Sequence, residues 1–139
     1  MGAKPIPDNY RRVTPSLVVK SGEEALRFYA EVFVATERAR FPGPGRTIAH
    51  AKIELDDSML IVEDEFSDRG TKAPAPSGVE GTSFPPLYVK AVDAVIEKAV
   101  KLAAKFKRPA ENQFYGDRGG YIVDPLGIAG ITSHIEMYH

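Results

Sequence analysis

The sequence predicts an α+β fold built from two βαβββ modules that follow one another along the chain. Residues 13–20 read VTPSLVVK and residues 83–90 read SFPPLYVK, so that Pro15 recurs as Pro85 and Lys20 as Lys90, both at an offset of 70 residues. A stretch with helical spacing of apolar residues follows each copy. Two copies of a long repeat are typical of paired modules, because a solenoid needs three or more stacked units. We therefore expect the functional site where the modules meet.

Module one begins with a strand and a helix. Residues 13–19 are apolar and β-branched with a proline at the edge, which indicates the start of a strand. Ser21 and Glu24 form a capping box, whose side chains accept backbone N–H groups at a helix N-terminus. Apolar residues then recur at steps of three and four, which predicts a helix of about three turns: Ala25, Leu26, Phe28, Tyr29, Val32 and Phe33.

Three strands are predicted to complete module one. The first covers residues 34–41 and must end at the turn residues 42–45, PGPG. The second starts at Ile48 and alternates between two faces, and the third covers residues 58–62. One face of the strand that starts at Ile48 should meet the helix, and it carries Ala49, Ala51, Ile53 and Leu55. The opposite face should be open, and it carries Ile48, His50, Lys52 and Glu54.

The rest of the chain repeats this order after a connector. Module one spans about residues 11–66, the connector about 67–82 and module two about 83–136, all within a single domain. Residues 67–86 hold seven glycines and prolines, which is typical of a loop. In module two we expect a strand at 87–90, a helix marked by Ile96, Ala99, Val100 and Ala103, strands around 106–114, 121–123 and 128–131, and a type I turn at 124–127.

Composition excludes several classes of function. The 139 residues carry 18 Lys+Arg against 19 Asp+Glu, a net charge of −1 that predicts no binding to nucleic acid or to a membrane surface. The absence of cysteine excludes disulfides, thiolate catalysis and Cys-ligated zinc. The first residues contain no apolar core of a signal peptide, and no apolar run approaches the length of a membrane span. We expect a cytoplasmic protein that binds a small uncharged ligand or another protein.

Several short motifs resemble those of the glyoxalase/bleomycin-resistance/dioxygenase superfamily, also called the vicinal oxygen chelate fold. They are Phe28-Tyr29, His50-Ala51, NQFYGDR at 112–118 and DPLG at 124–127, and they are similar to the phosphonate-operon-associated subgroup in particular. The resemblance covers essentially the whole chain. It implies that eight strands form a cup-like mixed sheet with helices on its convex side. It also implies a homodimer, because members pair or swap modules between two chains.

The same resemblance locates four positions where metal-dependent members place their ligands, one on the first and one on the last strand of each module. In this sequence they are Thr14, Ile61, Phe84 and Ile131. Aliphatic and phenyl side chains supply none of the oxygen or nitrogen donors that a divalent metal needs. A one-residue slip that replaced Ile131 by Thr132 would add only a weak hydroxyl. We therefore predict no metal and no cofactor.

Several polar residues remain as candidates for ligand recognition, and His50 and Arg118 are the main ones. His50 is predicted to point into the cup, where a neutral imidazole could bond a ligand or act as a general base; the alternative is a strand histidine bonded to a neighbour or to water. Arg118 could clamp a carboxylate or phosphonate through two bonds. It could equally tie its loop to Asp117, Asp124 or a partner subunit. Lys52, Glu54 and Glu63 either line the cup or form a solvated rim.

An apolar, aromatic floor is expected between these polar groups, suited to a flat or hydrophobic ligand; core or dimer packing is the alternative use of the same side chains. Its predicted members are Met59, Ile61, Phe84, Tyr88, Tyr121 and Ile131. The candidate ligand-binding set is thus Thr14, His50, Ile61, Phe84, Tyr88, Arg118, Tyr121 and Ile131. No catalytic residue is assigned.

Three functions compete. The first is a metal-free protein that binds or sequesters a small, partly aromatic ligand, as relatives of the bleomycin-resistance type do. The second is a metal-dependent lyase or dioxygenase resembling glyoxalase I, with ligands among His50, Glu54 and Glu63. The third is a metal-independent enzyme with His50 as its base.

Overall fold

The computed structural model describes residues 5–71, 73 and 86–125, and the backbone of 129–134. The chain divides into two compact units, Met1–Ala73 and Pro74–His139, here called unit 1 and unit 2. Each unit packs one long helix on one sheet. The predicted α+β class is confirmed.

Unit 1 has the predicted order of strand, helix and three strands. Its elements are β1 (Ser16–Val19), α1 (Gly22–Phe33), β2 (Thr36–Pro42), β3 (Ile48–Leu55) and β4 (Ser58–Asp64). The sheet order is β1-β4-β3-β2. Strand β1 runs parallel to β4, and the other two pairs are antiparallel, so the sheet is mixed.

Helix α1 begins and ends as its local sequence dictates. The Ser21 hydroxyl accepts a hydrogen bond from the Glu24 backbone N–H at 3.3 Å, which confirms the N-cap. Five of the six apolar residues predicted on the inner face are buried: Ala25, Leu26, Phe28, Tyr29 and Val32. The helix ends at Phe33 and is capped by Val34, which has a left-handed backbone (φ 56°); the Tyr29 carbonyl accepts from the N–H of Val34 and from that of Ala35 at 3.2 Å. The following strand therefore starts at Thr36, two residues later than predicted.

Alternation along β3 is confirmed over most of its length. Ala51, Ile53 and Leu55 are buried, whereas His50 and Lys52 are half-buried. The face that carries His50 and Lys52, opposite α1, is called the open face of unit 1. Ile48 does not lie with them, contrary to the prediction. The pairing with β2 shifts by one residue between Phe41 and Pro42, and this β-bulge turns Ile48 toward the start of α1, where it is 2 % exposed.

One buried carboxylate joins three elements of unit 1. Asp64, at the end of β4, is 5 % exposed. Its Oδ1 accepts from the Gly22 backbone N–H at 3.0 Å, and its Oδ2 accepts from the Ile48 N–H at 2.6 Å. A Cβ on Gly22 would lie 2.8 Å from the Cβ of Ile48, so only glycine fits where α1 meets the sheet. This anchor was not predicted from the sequence.

Unit 2 contains α2 (Val92–Lys101), β5 (Lys105–Asn112), β6 (Asp117–Val123) and β7 (Ala129–His134). The sheet order is β5-β6-β7 and both pairs are antiparallel. The described residues 86–91 form no strand, although a strand was predicted at 87–90. Module two has two adjacent prolines, Pro85 and Pro86, where module one has Pro15 alone, and prolines contribute no N–H to a sheet.

Arg118 lies within β6 and not in the loop that was predicted to contain it. The turn between β5 and β6 covers residues 113–116 instead. It is closed by hydrogen bonds from the Gly116 N–H to the Gln113 carbonyl and from the Gln113 N–H to the Asp117 carbonyl. Gly116 supplies the positive φ of 101° that the turn requires.

Candidate functional site

A groove on the open face of unit 1 brings together three of the predicted site residues. Its volume is about 410 Å³, within the range of roughly 300–1,000 Å³ that is typical of small-molecule sites. Its walls are the open face and residues 5–12, called here the N-terminal segment. The lining residues are Pro5, Ile6, Pro7, Tyr10, Arg11, Arg12, Thr14, His50, Lys52 and Ile61.

Thr14 and Ile61 become neighbours because the chain just before β1 is already bonded to β4. The Ile61 N–H donates to the Pro15 carbonyl at 3.0 Å, and Ile61 pairs with Ser16 in the parallel register. The Thr14 hydroxyl donates to the Arg11 carbonyl at 3.3 Å. The two positions thus meet at one end of the groove.

His50 has an acidic neighbour that the sequence did not reveal. The Nδ1 atom of its imidazole lies 4.0 Å from Oε2 of Glu63 on β4. The ring of Phe41 also lies near the imidazole, with the ring centroids 6.0 Å apart. At 4.0 Å the contact with Glu63 is an ion pair only when the imidazole is protonated. Glu63 thus gives His50 an acidic neighbour on the adjacent strand.

Lys52 and Glu54, which share the open face, make different contacts. The Nζ atom of Lys52 lies 5.6 Å from the centroid of the Tyr10 ring, within range of a cation–π contact. Glu54 is bonded by the guanidinium of Arg38, from its Nε at 2.8 Å and from a second nitrogen. The negative charge of Glu54 is thereby compensated by β2, while Lys52 faces the groove.

Arg118 holds the helix of unit 2 to its sheet. Its Nε and one terminal nitrogen donate to the two carboxylate oxygens of Asp93 at 2.9 and 2.8 Å, and its other terminal nitrogen donates to Oδ1 of Asn112 at 3.2 Å. The hydrogen bonds from Arg118 hold the pKa of Asp93 below its ordinary value, and those to Asp93 raise the pKa of Arg118. Arg118 therefore binds a carboxylate of helix α2 through two hydrogen bonds, and Asp93 was not among the partners considered from the sequence.

The other predicted ligand-binding residues of unit 2 are distributed over its surface and sheet. Tyr88 is 61 % exposed, and its hydroxyl donates to Asp117 at 3.3 Å; the negative charge of Asp117 raises the pKa of the Tyr88 phenol. The guanidinium of Arg108 lies 4.6 Å from the ring centroid of Tyr121. In the backbone register Ile131 pairs with Gly120. Phe84 lies outside the described residues.

Unit 2 has a depression of its own between α2 and β5, of about 500 Å³. It is lined by Asp93, Ile96, Glu97, Val100, Lys101, Phe106, Pro109 and Ala110. None of the predicted site residues lines it, and its charged side chains lie on the exposed helix surface. The groove of unit 1 is smaller but combines apolar walls with converging polar groups, which is the better criterion for a ligand site.

The donor set at the implied metal positions is poor. Ile61 offers no donor atom, and the one hydroxyl of Thr14 is bonded to a backbone carbonyl. No group of three or more His, Asp or Glu side chains suited to a metal ion occurs in the part of the chain that the structure describes. Thr14 and Ile61 therefore supply no adequate pair of metal ligands at the positions that the resemblance implies.

Comparison with known families decides the affiliation. The model of the Glyoxalase/Bleomycin resistance protein/Dioxygenase superfamily matches residues 11–129. The chain belongs to this superfamily. Two of its sequence relatives are an uncharacterized protein of Mycobacterium bovis and one of Mycobacterium tuberculosis H37Rv, each 32 % identical over 117 residues. This alignment covers 83 % of the chain and 77 % or 69 % of the relative.

Solved structures agree with this superfamily fold. TioX from Micromonospora sp. ML1 is 19 % identical, with a TM-score of 0.66 over 90 % of this chain and 99 % of TioX. The fosfomycin resistance protein FosX from Listeria monocytogenes, solved as a mutant with Mn(II) and 1S,2S-dihydroxypropylphosphonic acid, is 13 % identical. Its TM-score is 0.66 over 88 % of both chains.

No helix among the described residues is long and apolar enough to cross a membrane.

Sequence reasoning missed the N-terminal segment as a wall of the site. Pro5 and Pro7, which fix φ and stiffen the chain on both sides of Ile6, were the available signal. Tyr10 and the two arginines that follow it were not linked to the open face, because no local pattern shows where a segment before the first strand folds back. Glu63 was missed as a neighbour of His50 for the same reason, since the pair depends on the register of β3 with β4.

Proposed function

We propose that this protein is a small-molecule-binding member of its superfamily that works without the usual metal and holds a small, partly aromatic ligand. The observation that carries the proposal is the groove of unit 1, where Thr14, His50 and Ile61 meet beside the Tyr10 ring. At two of the implied metal positions, Ile61 supplies apolar surface and Thr14 supplies a hydroxyl that is already hydrogen-bonded. The imidazole of His50 can orient a ligand through a hydrogen bond.

The test is a titration of ¹⁵N-labelled protein with small aromatic compounds, some bearing carboxylate or phosphonate groups, followed by amide chemical shifts. We expect hits to move the amides of Thr14, His50 and Ile61. Hits that move only residues around Val100 and Phe106 would assign binding to the depression of unit 2 and refute the proposal. So would the absence of any hit at millimolar compound concentrations.

A second candidate, a metal-dependent lyase or dioxygenase resembling glyoxalase I, has one specific observation in its favour. His50 and Glu63 place an imidazole nitrogen and a carboxylate oxygen 4.0 Å apart, and both are metal-ligating groups. Elemental analysis of protein purified without chelator separates the two candidates. One metal ion per chain that is lost in Glu63→Gln would favour the enzyme, and a metal content far below one ion per chain in wild type would favour the binding protein.

A further inference from the structure

The charge of the groove differs from the charge of the whole protein. Three of its ten lining residues are cations, Arg11, Arg12 and Lys52, and none of the described lining residues is a carboxylate. The chain as a whole has a net charge of −1. A local excess of positive charge beside apolar walls attracts anions rather than neutral or cationic molecules.

Three other cations of unit 1 are paired with carboxylates. Arg38 is bonded to Glu54, Lys20 to Glu65, and Arg40 to Glu37. Within the described residues, by contrast, Arg12 and Lys52 form no ion pair. Arg11 also borders a smaller depression lined by the acidic residues Glu54, Asp56 and Asp57, so it is partly compensated. The case for an anion therefore depends on Arg12 and Lys52.

Tyr10 contributes a hydroxyl group that makes no hydrogen bond with the described residues. Its hydroxyl oxygen is buried and has no hydrogen-bond partner among the described residues. A buried hydroxyl without a partner lowers stability, because it has lost its bonds to water and gained none. A ligand that displaces the atoms now covering this hydroxyl and presents an anionic oxygen would satisfy it.

Most of the N-terminal segment, including Tyr10, lies ahead of the region that matches the superfamily. The match begins at residue 11, and Pro5, Ile6, Pro7 and Tyr10 precede it. These residues cover an open face whose other lining residues belong to the matched region. The N-terminal segment is thus where this chain can differ in ligand choice from other members with the same sheet.

We infer that the groove selects a small organic anion with a flat apolar body, and that the N-terminal segment is the specificity-determining element. Lys52 and Arg12 attract the anionic group, the Tyr10 hydroxyl donates to it, and Ile6 and Ile61 contact the apolar body. The inference deepens the proposed function and depends on it, since it names the ligand class of the same groove.

The first experiment compares benzoate with benzamide, which has nearly the same shape and no charge, by NMR titration of the intact protein. We expect benzoate to bind about tenfold more tightly at low ionic strength, and its advantage to shrink as added salt screens the exposed cations. If both compounds bind the groove with equal affinity, the inference fails and the proposed function stands. If benzoate, benzamide and phenylphosphonate all leave the amide chemical shifts of the groove residues unchanged, the inference is overturned. The proposed function would then also lack support from the simplest aromatic ligands.

The second experiment assigns the charge recognition to residues. Lys52→Met removes the ammonium and keeps the length of the side chain, and we expect it to weaken benzoate binding about fivefold or more and benzamide binding little. Lys98→Met, on the exposed surface of α2, is the matched control with the same change in net charge. Equal losses in the two variants would show a non-specific charge effect and refute the assignment.

Tyr10→Phe should change stability and ligand affinity in opposite directions. It keeps the ring and removes the unpartnered hydroxyl, so we expect the ligand-free protein to be at least as stable as wild type in thermal melting. We expect benzoate affinity to fall about threefold or more, because the donor to the anion is lost. An unchanged affinity for benzoate in this variant would remove Tyr10 from the recognition site, whatever happens to stability.

Discussion

The two modules hold their helices to their sheets by different chemistry, although their sequences repeat at a constant offset. In module one the buried carboxylate of Asp64 accepts two backbone N–H groups, one at the start of α1 and one on β3. In module two the N-cap position, Ala91, has no side-chain cap, and the pair of Arg118 and Asp93 joins α2 to β6 with the Asp93 side chain 65 % exposed.

This difference follows from single residues at repeat-equivalent positions. The counterpart of Gly22 is Val92, and the counterpart of Asp64 is His134, in each case 70 residues later. Valine places a side chain at the helix start, where it is 2 % exposed, and histidine does not supply a carboxylate. In module two, Arg118 therefore joins the helix to the sheet. In module one the buried Asp64 does so, and the cations Lys52 and Arg12 lie at the groove.

The sharpest test of this comparison is the removal of the Asp64 carboxylate. Asp64→Ala leaves two buried N–H groups without acceptors, and we expect it to lower the free energy of unfolding by about 2–5 kcal/mol. Asp64→Asn should cost less, because its amide oxygen can still accept one of the two bonds. Chemical denaturation of the variants measures both values.

Asp57→Ala is the control, since this carboxylate is exposed and bonds only the neighbouring Ser58 hydroxyl among the described contacts. We expect a change close to zero for it. A loss in Asp64→Ala no larger than that in the control would contradict the distinction between a buried and a surface anchor.

The tie of module two should give a smaller and salt-dependent effect. We expect Asp93→Asn and Arg118→Gln to destabilise the protein far less than Asp64→Ala, and the double variant to lose little more than either single one. Because the pKa of Asp93 is lowered in the folded state, the ion pair stabilises the protein above the unfolded pKa of the carboxyl and ceases to do so as the pH falls through its folded pKa.

The measurement is the free energy of unfolding of wild type and Asp93→Asn between about pH 6 and about pH 2, at low and high salt. The difference between the two proteins should shrink toward the acid end and at high salt. A difference that persists at acid pH would mean that Asp93 acts through something other than its charge.

The smallest expected effect concerns the tyrosine of module two. The negative charge of Asp117 raises the pKa of Tyr88, so the folded state retains the phenolic proton and the contact is lost as the pH rises through that pKa. Asp117→Asn should return the pKa toward its ordinary value, and Tyr115→Phe should lower it less. An NMR titration of the Tyr88 ring at alkaline pH measures the pKa in both variants. A larger decrease in Tyr115→Phe than in Asp117→Asn would contradict this prediction.

Local sequence determined the elements of the fold whose causes lie within a few residues. The Ser21 cap, the apolar face of α1 and the alternation of β3 from His50 to Leu55 are set by hydrogen bonds and burial between near neighbours, so their spacing could be interpreted directly. The resemblance to the superfamily likewise pointed to Thr14 and Ile61 as the two ligand positions of module one, and the structure places both in one groove.

Tertiary structure decided everything that depends on which strand or segment lies opposite another. The bulge opposite Ile48, the Asp64 anchor, the approach of Glu63 to His50 and the choice of Asp93 as partner of Arg118 each join residues far apart in the chain. The N-terminal segment became a wall of the groove for the same reason. No local pattern encodes these contacts, because their free energy is gained only when the sheet has set the register and brought the partners together.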